Sequence, residues 1–229
     1  MTKRSPAHPP AADLTRHRYA PLLEELIQTG ADFHRRGWSL GTSSNYSVVV
    51  ERDPLVVLLT GSGHDKGRLR PQHFVLVDDH GTSLHPDFPK PSAETLLHVV
   101  LARSAEAGAV LHTHSVAATV LSTGQLPTGA LELEGYEMLK GLSGIATHDT
   151  RISLPIFPNT QDMIALSGEV EDRLLDKETP LRHGFLLSGH GLYTWGADLA
   201  EARRQVEVLE FLFEVSLHQR LLFPNHSKV

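Results

Sequence analysis

The sequence has no cysteine, no long apolar run and no excess of positive charge, and each absence excludes a class of function. Without cysteine, the 229-residue chain can form no disulfide, no thiolate nucleophile and no sulfur ligand for a metal ion. Its apolar runs are far shorter than the roughly 20 residues that cross a bilayer. With 21 basic and 27 acidic residues and no basic block, nucleic-acid binding has little support. Any catalysis must therefore use histidine, carboxylate and hydroxyl groups.

The amino-terminal segment does not have the pattern of a secretory signal. No basic stretch precedes an apolar one there, so we expect a soluble, cytoplasmic protein with no membrane partner. Residues 1–12 are rich in proline, alanine and small polar residues, which predicts a disordered arm. Because 40% of the chain is hydrophobic, residues 13–229 can bury a sizeable core, and we expect them to form a single domain.

Hydrophobic periodicity predicts short strands that come in adjacent groups between helices. The expected strands are 46–50, 55–59, 74–77, 109–111, 152–157, 184–188 and 192–195. Five helices are expected, beginning near Tyr19, Ser92, Ser115, Thr160 and Asp198. The first should end at Gly37, the second at Ala107 and the fourth at Leu175. Ser92, Ser115 and Asp198 are the expected N-caps, and Asn159 or Thr160 caps the fourth helix. This grouping predicts an α/β domain with a mixed, largely antiparallel sheet.

The chain contains 15 histidines, and His112-Thr113-His114 is their sharpest local pattern. Side chains two residues apart on a strand point to the same face, so both imidazoles could reach one metal ion. The apolar run Ala109–Leu111 supports a strand at this place. A polar strand end with two solvated histidines explains the same pattern, so the pair alone leaves both interpretations open.

His190, between Gly189 and Gly191, is the best candidate for a third ligand. Flanking glycines let the backbone approach closely and leave the side chain unshielded, although an ordinary turn histidine would look the same. Three imidazoles with an open fourth position would make a catalytic metal site rather than a structural one. Such an ion polarises a carbonyl and stabilises an enediolate.

Two carboxylates compete for an acid/base role. Glu94 is predicted in the first turn of a helix, where the helix dipole favours an anion for structural reasons alone. Glu137 lies in the mixed segment 134–140, where a surface charge is unremarkable, and the same holds for Lys140. Composition does not choose between the two.

Two polar loops could hold a phosphate group through backbone N–H groups and hydroxyls. They are Gly41–Asn45 and Thr60–Gly67, and the second adds Lys66. The glycine spacing of the second loop differs from a dinucleotide fingerprint, and residues 68–71 make a poor helix start. The chain has neither a Walker motif nor a Gly-x-Ser-x-Gly elbow, which argues against a P-loop enzyme and a serine hydrolase.

In chain order these motifs resemble the class II aldolase (aldolase/adducin-like) superfamily. The five motifs are Gly41–Asn45, Thr60-Gly61, Pro91–Glu94, His112–His114 and Gly189–Gly191. The resemblance implies a three-layer α/β/α fold with a mixed, largely antiparallel central sheet. It also implies a homotetramer and one divalent ion per subunit, usually zinc, on His112, His114 and His190.

Within the superfamily, the segments 90–95, 111–115 and 136–141 look most like the dehydratases of methionine salvage. That resemblance implies a lyase that removes water from 5-methylthioribulose 1-phosphate through a metal-stabilised enediolate. It moves the acid/base role to Glu137 and leaves Glu94 as runner-up. The phosphate contacts it implies are Asn45, Thr60, Gly61 and Ser92, although Ala93 stands where many aldolases place a second serine.

Two alternatives remain. A class II aldolase would use the same ion to cleave C3–C4 of a ketose 1-phosphate, and fold alone does not separate the two reactions. A non-catalytic aldolase-like assembly module is the other alternative, against which the complete histidine set argues.

Overall fold

The computed structural model describes residues 19–223, so the predicted disordered arm, residues 1–12, lies outside the described residues. Its α-helices are α1 Ala20–Arg35, α2 Thr95–Ser104, α3 Val116–Gln125, α4 Met163–Leu175 and α5 Leu199–Leu222. Its strands are β1 Asn45–Arg52, β2 Leu55–Thr60, β3 Phe74–Val77, β4 Ala109–Thr113, β5 Ala130–Glu134, β6 Arg151–Phe157, β7 Phe185–Leu187 and β8 Gly191–Gly196. Short 3-10 helices cover Lys66–Arg68, Pro71–His73, Leu126–Thr128 and Glu137–Gly141. Within this part of the chain, no helix is both long enough and apolar enough to cross a bilayer.

The strands form one sheet in the order β3-β2-β1-β4-β8-β7-β6-β5. Neighbouring strands run antiparallel, except that β6 and β7 are parallel. This confirms the predicted mixed, largely antiparallel sheet. Strand β5 was not predicted. Its Leu131 and Leu133 are buried and alternate with glutamates, as expected for an edge strand with one solvent-exposed face.

Helices cover both faces of the sheet. Helices α2 and α4 pack on each other and on one face, which contains Val110 and Tyr193. Helix α5, together with α1 and α3, covers the opposite face, which contains Leu111 and Leu192. Successive residues of β4 therefore alternate between the two helical layers, and this confirms the three-layer architecture.

Several predicted helix ends are correct. The first helix ends before Gly37, which has a φ of +78° that favours glycine. The Ser115 hydroxyl accepts a hydrogen bond from the N–H of Ala118 at 3.0 Å, and an Asp198 oxygen accepts from Glu201 at 2.8 Å. Both side chains are thus the N-caps that the sequence predicted.

Two helix starts were predicted too early. Helix α2 begins after Glu94, and the Ser92 hydroxyl instead accepts a 3.3 Å hydrogen bond from the Glu94 N–H before the helix starts. That helix also ends at Ser104, short of Ala107. Helix α4 begins at Met163 because Asp162, rather than Asn159 or Thr160, accepts the capping hydrogen bond from Ala165.

Candidate metal centre

Strand β4 and the residue after it point His112 and His114 toward the α2/α4 layer. His112 pairs across the sheet with Tyr193 of β8, and the two rings stack with centroids 4.0 Å apart. Thr113 points the other way, where its hydroxyl donates to Glu210 of α5 at 2.6 Å. Just beyond the strand, the backbone N–H of His114 donates to the carbonyl of Trp38 at 2.7 Å. The period of the strand thus places both imidazoles on one side, as the sequence predicted.

The turn between β7 and β8 brings His190 to the same place. Its backbone N–H donates to the Leu187 carbonyl at 3.1 Å, and Gly189 has a φ of +65°. At Gly191 a Cβ atom would lie 1.9 Å from the Thr113 carbonyl oxygen. Glycine is therefore required at residue 191, because β8 starts directly against the backbone of β4.

The Nε2 atoms of the three histidines converge on one point. They lie 2.7 Å apart for His112 and His114, 3.1 Å for His114 and His190, and 3.3 Å for His112 and His190. Tetrahedral zinc with Zn–N bonds of about 2.0–2.1 Å separates its nitrogen ligands by about 3.3–3.4 Å. Two of the three separations are close to that value, and the third is tighter. The donor set therefore fits a divalent cation.

Hydrogen bonds at the far side of two rings leave their Nε2 lone pairs free for a metal. His112 Nδ1 donates to the Leu192 carbonyl at 2.8 Å, because a carbonyl can only accept. His190 Nδ1 lies 3.3 Å from Oδ1 of Asn159, a residue that the sequence suggested only as a helix cap. Burial lowers the pKa of His112 well below its usual range and that of His114 to about 3, so both rings are neutral, as metal ligands must be.

Glu94 is the carboxylate that the fold brings to the three histidines. Its oxygens lie 3.3 Å from Nε2 of His190 and 3.5 Å from Nε2 of His112. The Nδ2 group of Asn45 donates to it at 2.6 Å. The hydroxyl of Tyr193 is buried without a hydrogen-bond partner among the described residues, and burial, with the nearby Glu94 charge, raises its pKa well above the usual range.

A cavity of about 470 Å³ lies beside His114 and Glu94. It is lined by residues 42–45, 61–63, 92–94 and 161–164, together with Lys66 and His114. Both predicted phosphate loops therefore border the same cavity as His114, one of the three candidate metal ligands.

Three of the four predicted phosphate contacts, namely Asn45, Gly61 and Ser92, line this cavity. The N–H of Gly61 is engaged, since it donates to the His73 carbonyl at 2.7 Å. Thr60 is fully buried beneath the loop, where its hydroxyl oxygen accepts a 3.1 Å hydrogen bond from the Tyr46 N–H. The structure thus places Thr60 behind the cavity and the other three at its wall.

Lys66 contributes a buried positive charge to the cavity. Its side chain is 1% exposed, and the ammonium group donates to the carbonyls of His64 at 2.7 Å and Thr42 at 3.4 Å. No carboxylate oxygen of residues 19–223 is within ion-pairing distance of it, and burial lowers the pKa of Lys66 to about 8. The third N–H group of this ammonium is free to bind an anion.

Glu137 lies away from the histidines within the single chain. It stands on the 3-10 turn after β5, its side chain is 69% exposed, and it does not line the cavity. It forms an ion pair with Lys140 and lies 3.7 Å from His148. The structure therefore brings together His112, His114, His190 and Glu94, and it leaves Glu137 on an exposed surface.

Comparisons with known proteins identify the family of the chain. The chain matches the family described as Class II Aldolase and Adducin N-terminal domain over residues 24–217. It is 46% identical over 202 residues to the methylthioribulose-1-phosphate dehydratase of Marinobacter nauticus, covering 87% of this chain and 94% of that protein. It is 47% identical over 200 residues to the methylthioribulose-1-phosphate dehydratase of Pseudomonas fluorescens, covering 87% of this chain and 93% of that protein.

Solved structures show the same fold. The L-fuculose-1-phosphate aldolase of Thermus thermophilus superposes with a TM-score of 0.70 at 24% identity, over 89% of this chain and 97% of that one. The sugar-phosphate aldolase of Thermotoga maritima superposes with a TM-score of 0.64 at 18% identity, over 89% and 97%. At these identities the likeness concerns the fold.

Proposed function

The chain belongs to the class II aldolase and adducin family, and we propose that it dehydrates 5-methylthioribulose 1-phosphate in methionine salvage. The product would be 2,3-diketo-5-methylthiopentyl 1-phosphate plus water. The observation that supports this most strongly is the convergence of three imidazole Nε2 atoms, one of them from His114 at the wall of a cavity that two polar loops border. The dehydratase relatives, which align with most of the chain, support the choice of substrate.

His112, His114 and His190 would hold one zinc ion per subunit. When bound, the ion would polarise the substrate carbonyl and stabilise negative charge on its oxygens. The chain contributes the orientation of these ligands, because the Leu192 carbonyl holds the His112 ring and the Asn159 amide holds the His190 ring. Such outer hydrogen bonds fix the tautomer and direction of each imidazole.

The polar side of the cavity would hold the phosphate group. Ser92 offers a hydroxyl there, beside the Asn45 amide that donates to it, with Gly61 at the wall and Thr60 buried in the supporting loop. Lys66 would supply the charge, since its ammonium lacks a carboxylate partner among the described residues. A phosphate fixed at this side would position C3 of the substrate for proton transfer.

The apolar side of the cavity lies at the start of α4. Met163 and Ile164 line it, and Ile164 is 78% exposed, so the described residues cover little of its apolar surface. We assign the methylthio group to these residues, because a thioether transfers favourably from water to an apolar wall.

Glu137 is the proposed acid/base, and Glu94 is the runner-up. The base would remove the C3 proton, and the same residue would then protonate the departing C4 hydroxyl to give water and an enol that becomes the diketone. Hydrogen bonding with Lys140 lowers the pKa of Glu137, so the carboxylate is ionised, as a base must be. Because Glu137 is exposed and lies outside the cavity, this role requires a neighbouring subunit to present it, in keeping with the proposed homotetramer.

A class II aldolase is the second candidate function. The observation that favours it is the position of Glu94, which is the one carboxylate within 3.5 Å of the histidine nitrogens in the described chain. In that reaction the C3–C4 bond would break instead of the C4–O bond. The converging histidines argue against a non-catalytic module, because such a module has no need of three imidazoles whose Nε2 atoms face one another.

Proton and phosphorus NMR of the zinc-loaded protein with 5-methylthioribulose 1-phosphate tests the proposal. Formation of the diketone phosphate supports dehydration. Dihydroxyacetone phosphate with methylthioacetaldehyde would show an aldolase and return the acid/base role to Glu94. Absence of turnover, with stoichiometric zinc confirmed, would refute the proposed substrate. Light scattering on the same sample tests the homotetramer, and fractionation of cells tests the proposed cytoplasmic location.

A further inference from the structure

A buried chain of hydrogen bonds lies behind the cavity and ends on Glu94. The Ser47 hydroxyl is 2.7 Å from Nδ1 of His98, and Nε2 of His98 contacts Oδ1 of Asn45. The Nδ2 group of Asn45 in turn donates to Glu94 at 2.6 Å and to the Ser92 hydroxyl at 3.3 Å. His98 is fully buried and does not line the cavity, so it can reach a ligand only through its partners.

The side-chain periods of strand β1 and helix α2 bring these hydrogen-bonding residues together. Asn45 and Ser47 are two apart on β1, so they share the face of the sheet that α2 covers. Glu94, at the N-cap of α2, and His98 are four apart, so they share one face of that helix. The polar face of the strand therefore meets the polar face of the helix at a single buried point.

Glu94 determines which group donates and which accepts in each hydrogen bond of this buried series. A carboxylate accepts, so Asn45 must turn its NH2 group toward Glu94 and its Oδ1 toward His98. That oxygen also accepts, so His98 carries its proton on Nε2, and its Nδ1 accepts from the Ser47 hydroxyl. Burial lowers the pKa of His98 to about 4, which keeps the ring neutral, as this pattern requires.

A flipped Asn45 would place its oxygen against the carboxylate of Glu94 and its NH2 group against the Nε2 proton of His98. Both contacts would join like partners, acceptor to acceptor and donor to donor, in a buried place where unpaired polar groups are costly. The His98 ring could relieve its own contact by moving the proton to Nδ1, but the carboxylate of Glu94 can only accept, so Glu94 excludes the flip. His98, with its proton on Nε2, then supplies the donor that the Oδ1 atom of Asn45 needs.

We propose that His98 is a positioning residue, which acts through Asn45 to hold the Glu94 carboxylate and the Ser92 hydroxyl in place at the cavity. This rests on the proposed function, in which Glu94 lies beside the metal ligands and Ser92 contacts the phosphate. In this role, His98 donates one hydrogen bond from its Nε2 to Oδ1 of Asn45.

His98→Gln and His98→Asn form a matched pair of variants that tests this hydrogen bond. The glutamine amide reaches the position of the imidazole Nε2 and can still donate to Asn45, whereas the asparagine amide reaches only the position of Nδ1. We expect kcat/KM of H98N to fall about 10- to 100-fold, the usual loss when an outer hydrogen bond to a site is removed. H98Q should stay within about 5-fold of the wild-type protein, with both variants binding one zinc ion. A histidine that only fills the core would instead give equal losses in the two variants.

Two readouts are independent of turnover. The ¹⁵N spectrum of the wild-type imidazole of His98 should show a proton on Nε2 between pH 5.5 and pH 8, and a proton on Nδ1 would overturn the proposal. Titration with inorganic phosphate should show weaker binding to H98N than to H98Q, by about 10-fold. If the wild-type protein fails to dehydrate the substrate while both of these results hold, the proposed reaction is wrong and the positioning role stands. Equal phosphate affinities in the two variants would refute the positioning role.

Discussion

Replacing Lys66 with methionine should reveal a stability difference that depends on pH. The pKa of Lys66 falls from 10.5 to about 8 in the folded protein because the ammonium group is buried. The folded state therefore releases its proton at a lower pH than the unfolded state does. Below about pH 8 the folded protein carries the full cost of the buried charge, which is about 3 kcal/mol at 1.36 kcal/mol per pKa unit.

Proton linkage determines whether the wild-type protein gains or loses stability relative to K66M as the pH rises. Between about pH 8 and pH 10.5 the unfolded state binds more protons, so the wild-type protein gains stability relative to K66M as the pH rises. Integrated from pH 7 to pH 9.5, the gain is about 2 kcal/mol. Groups common to both proteins cancel in the difference, so the increment reports on Lys66 alone.

Urea unfolding of the wild-type protein and K66M at pH 7 and pH 9.5 measures this increment. Lys66→Gln serves as a second neutral reference and should give the same increment, because the result does not depend on which uncharged side chain replaces the lysine. A difference that stays constant across this pH range for both references would show that the ammonium is solvated and refute the reasoning. Inorganic phosphate at pH 7 should stabilise the wild-type protein more than K66M, since it supplies the missing counter-ion.

Three other substitutions test the site. His190→Ala should abolish stoichiometric zinc binding, measured by atomic absorption after dialysis, because two imidazoles remain of the converging three. Glu137→Gln should lower kcat by about 100-fold or more while zinc stays bound, the usual loss of a general acid/base, and full turnover in that variant would exclude the assigned role. Gly191→Ala should destabilise the fold by more than about 3 kcal/mol, because its Cβ would lie 1.9 Å from the Thr113 carbonyl oxygen. Gly124→Ala, a helical position with no atom within 4 Å of the added Cβ, is its control and should gain about 0.5–1 kcal/mol, both measured by thermal melting.

Local rules predicted much of the fold. The period of β4 placed His112 and His114 on one face, and the side chains of Ser115 and Asp198 marked the starts of α3 and α5. The edge strand β5 escaped prediction, although its alternating leucines and glutamates were a usable signal. The start of α4 was misplaced because asparagine, threonine and aspartate all stand near it, and only the observed hydrogen bond identifies Asp162 as the cap.

By itself the sequence determined the chemistry that the chain could carry. The absence of cysteine limited the metal ligands to histidine and carboxylate, and the spacing of His112 and His114 allowed both to reach one ion, to which the family resemblance added His190. Such features are local, because a strand or turn directs neighbouring side chains without reference to the rest of the chain.

Only the tertiary structure decided which distant groups meet. It brought Glu94 to the histidines, left Glu137 on an exposed turn, buried Lys66 at the cavity and joined His98 to Asn45. The order of strands in the sheet and the packing of α2 on it create these contacts between segments far apart in sequence. The period of one element gives the direction of a side chain, but the packing of two elements is needed to give it a partner.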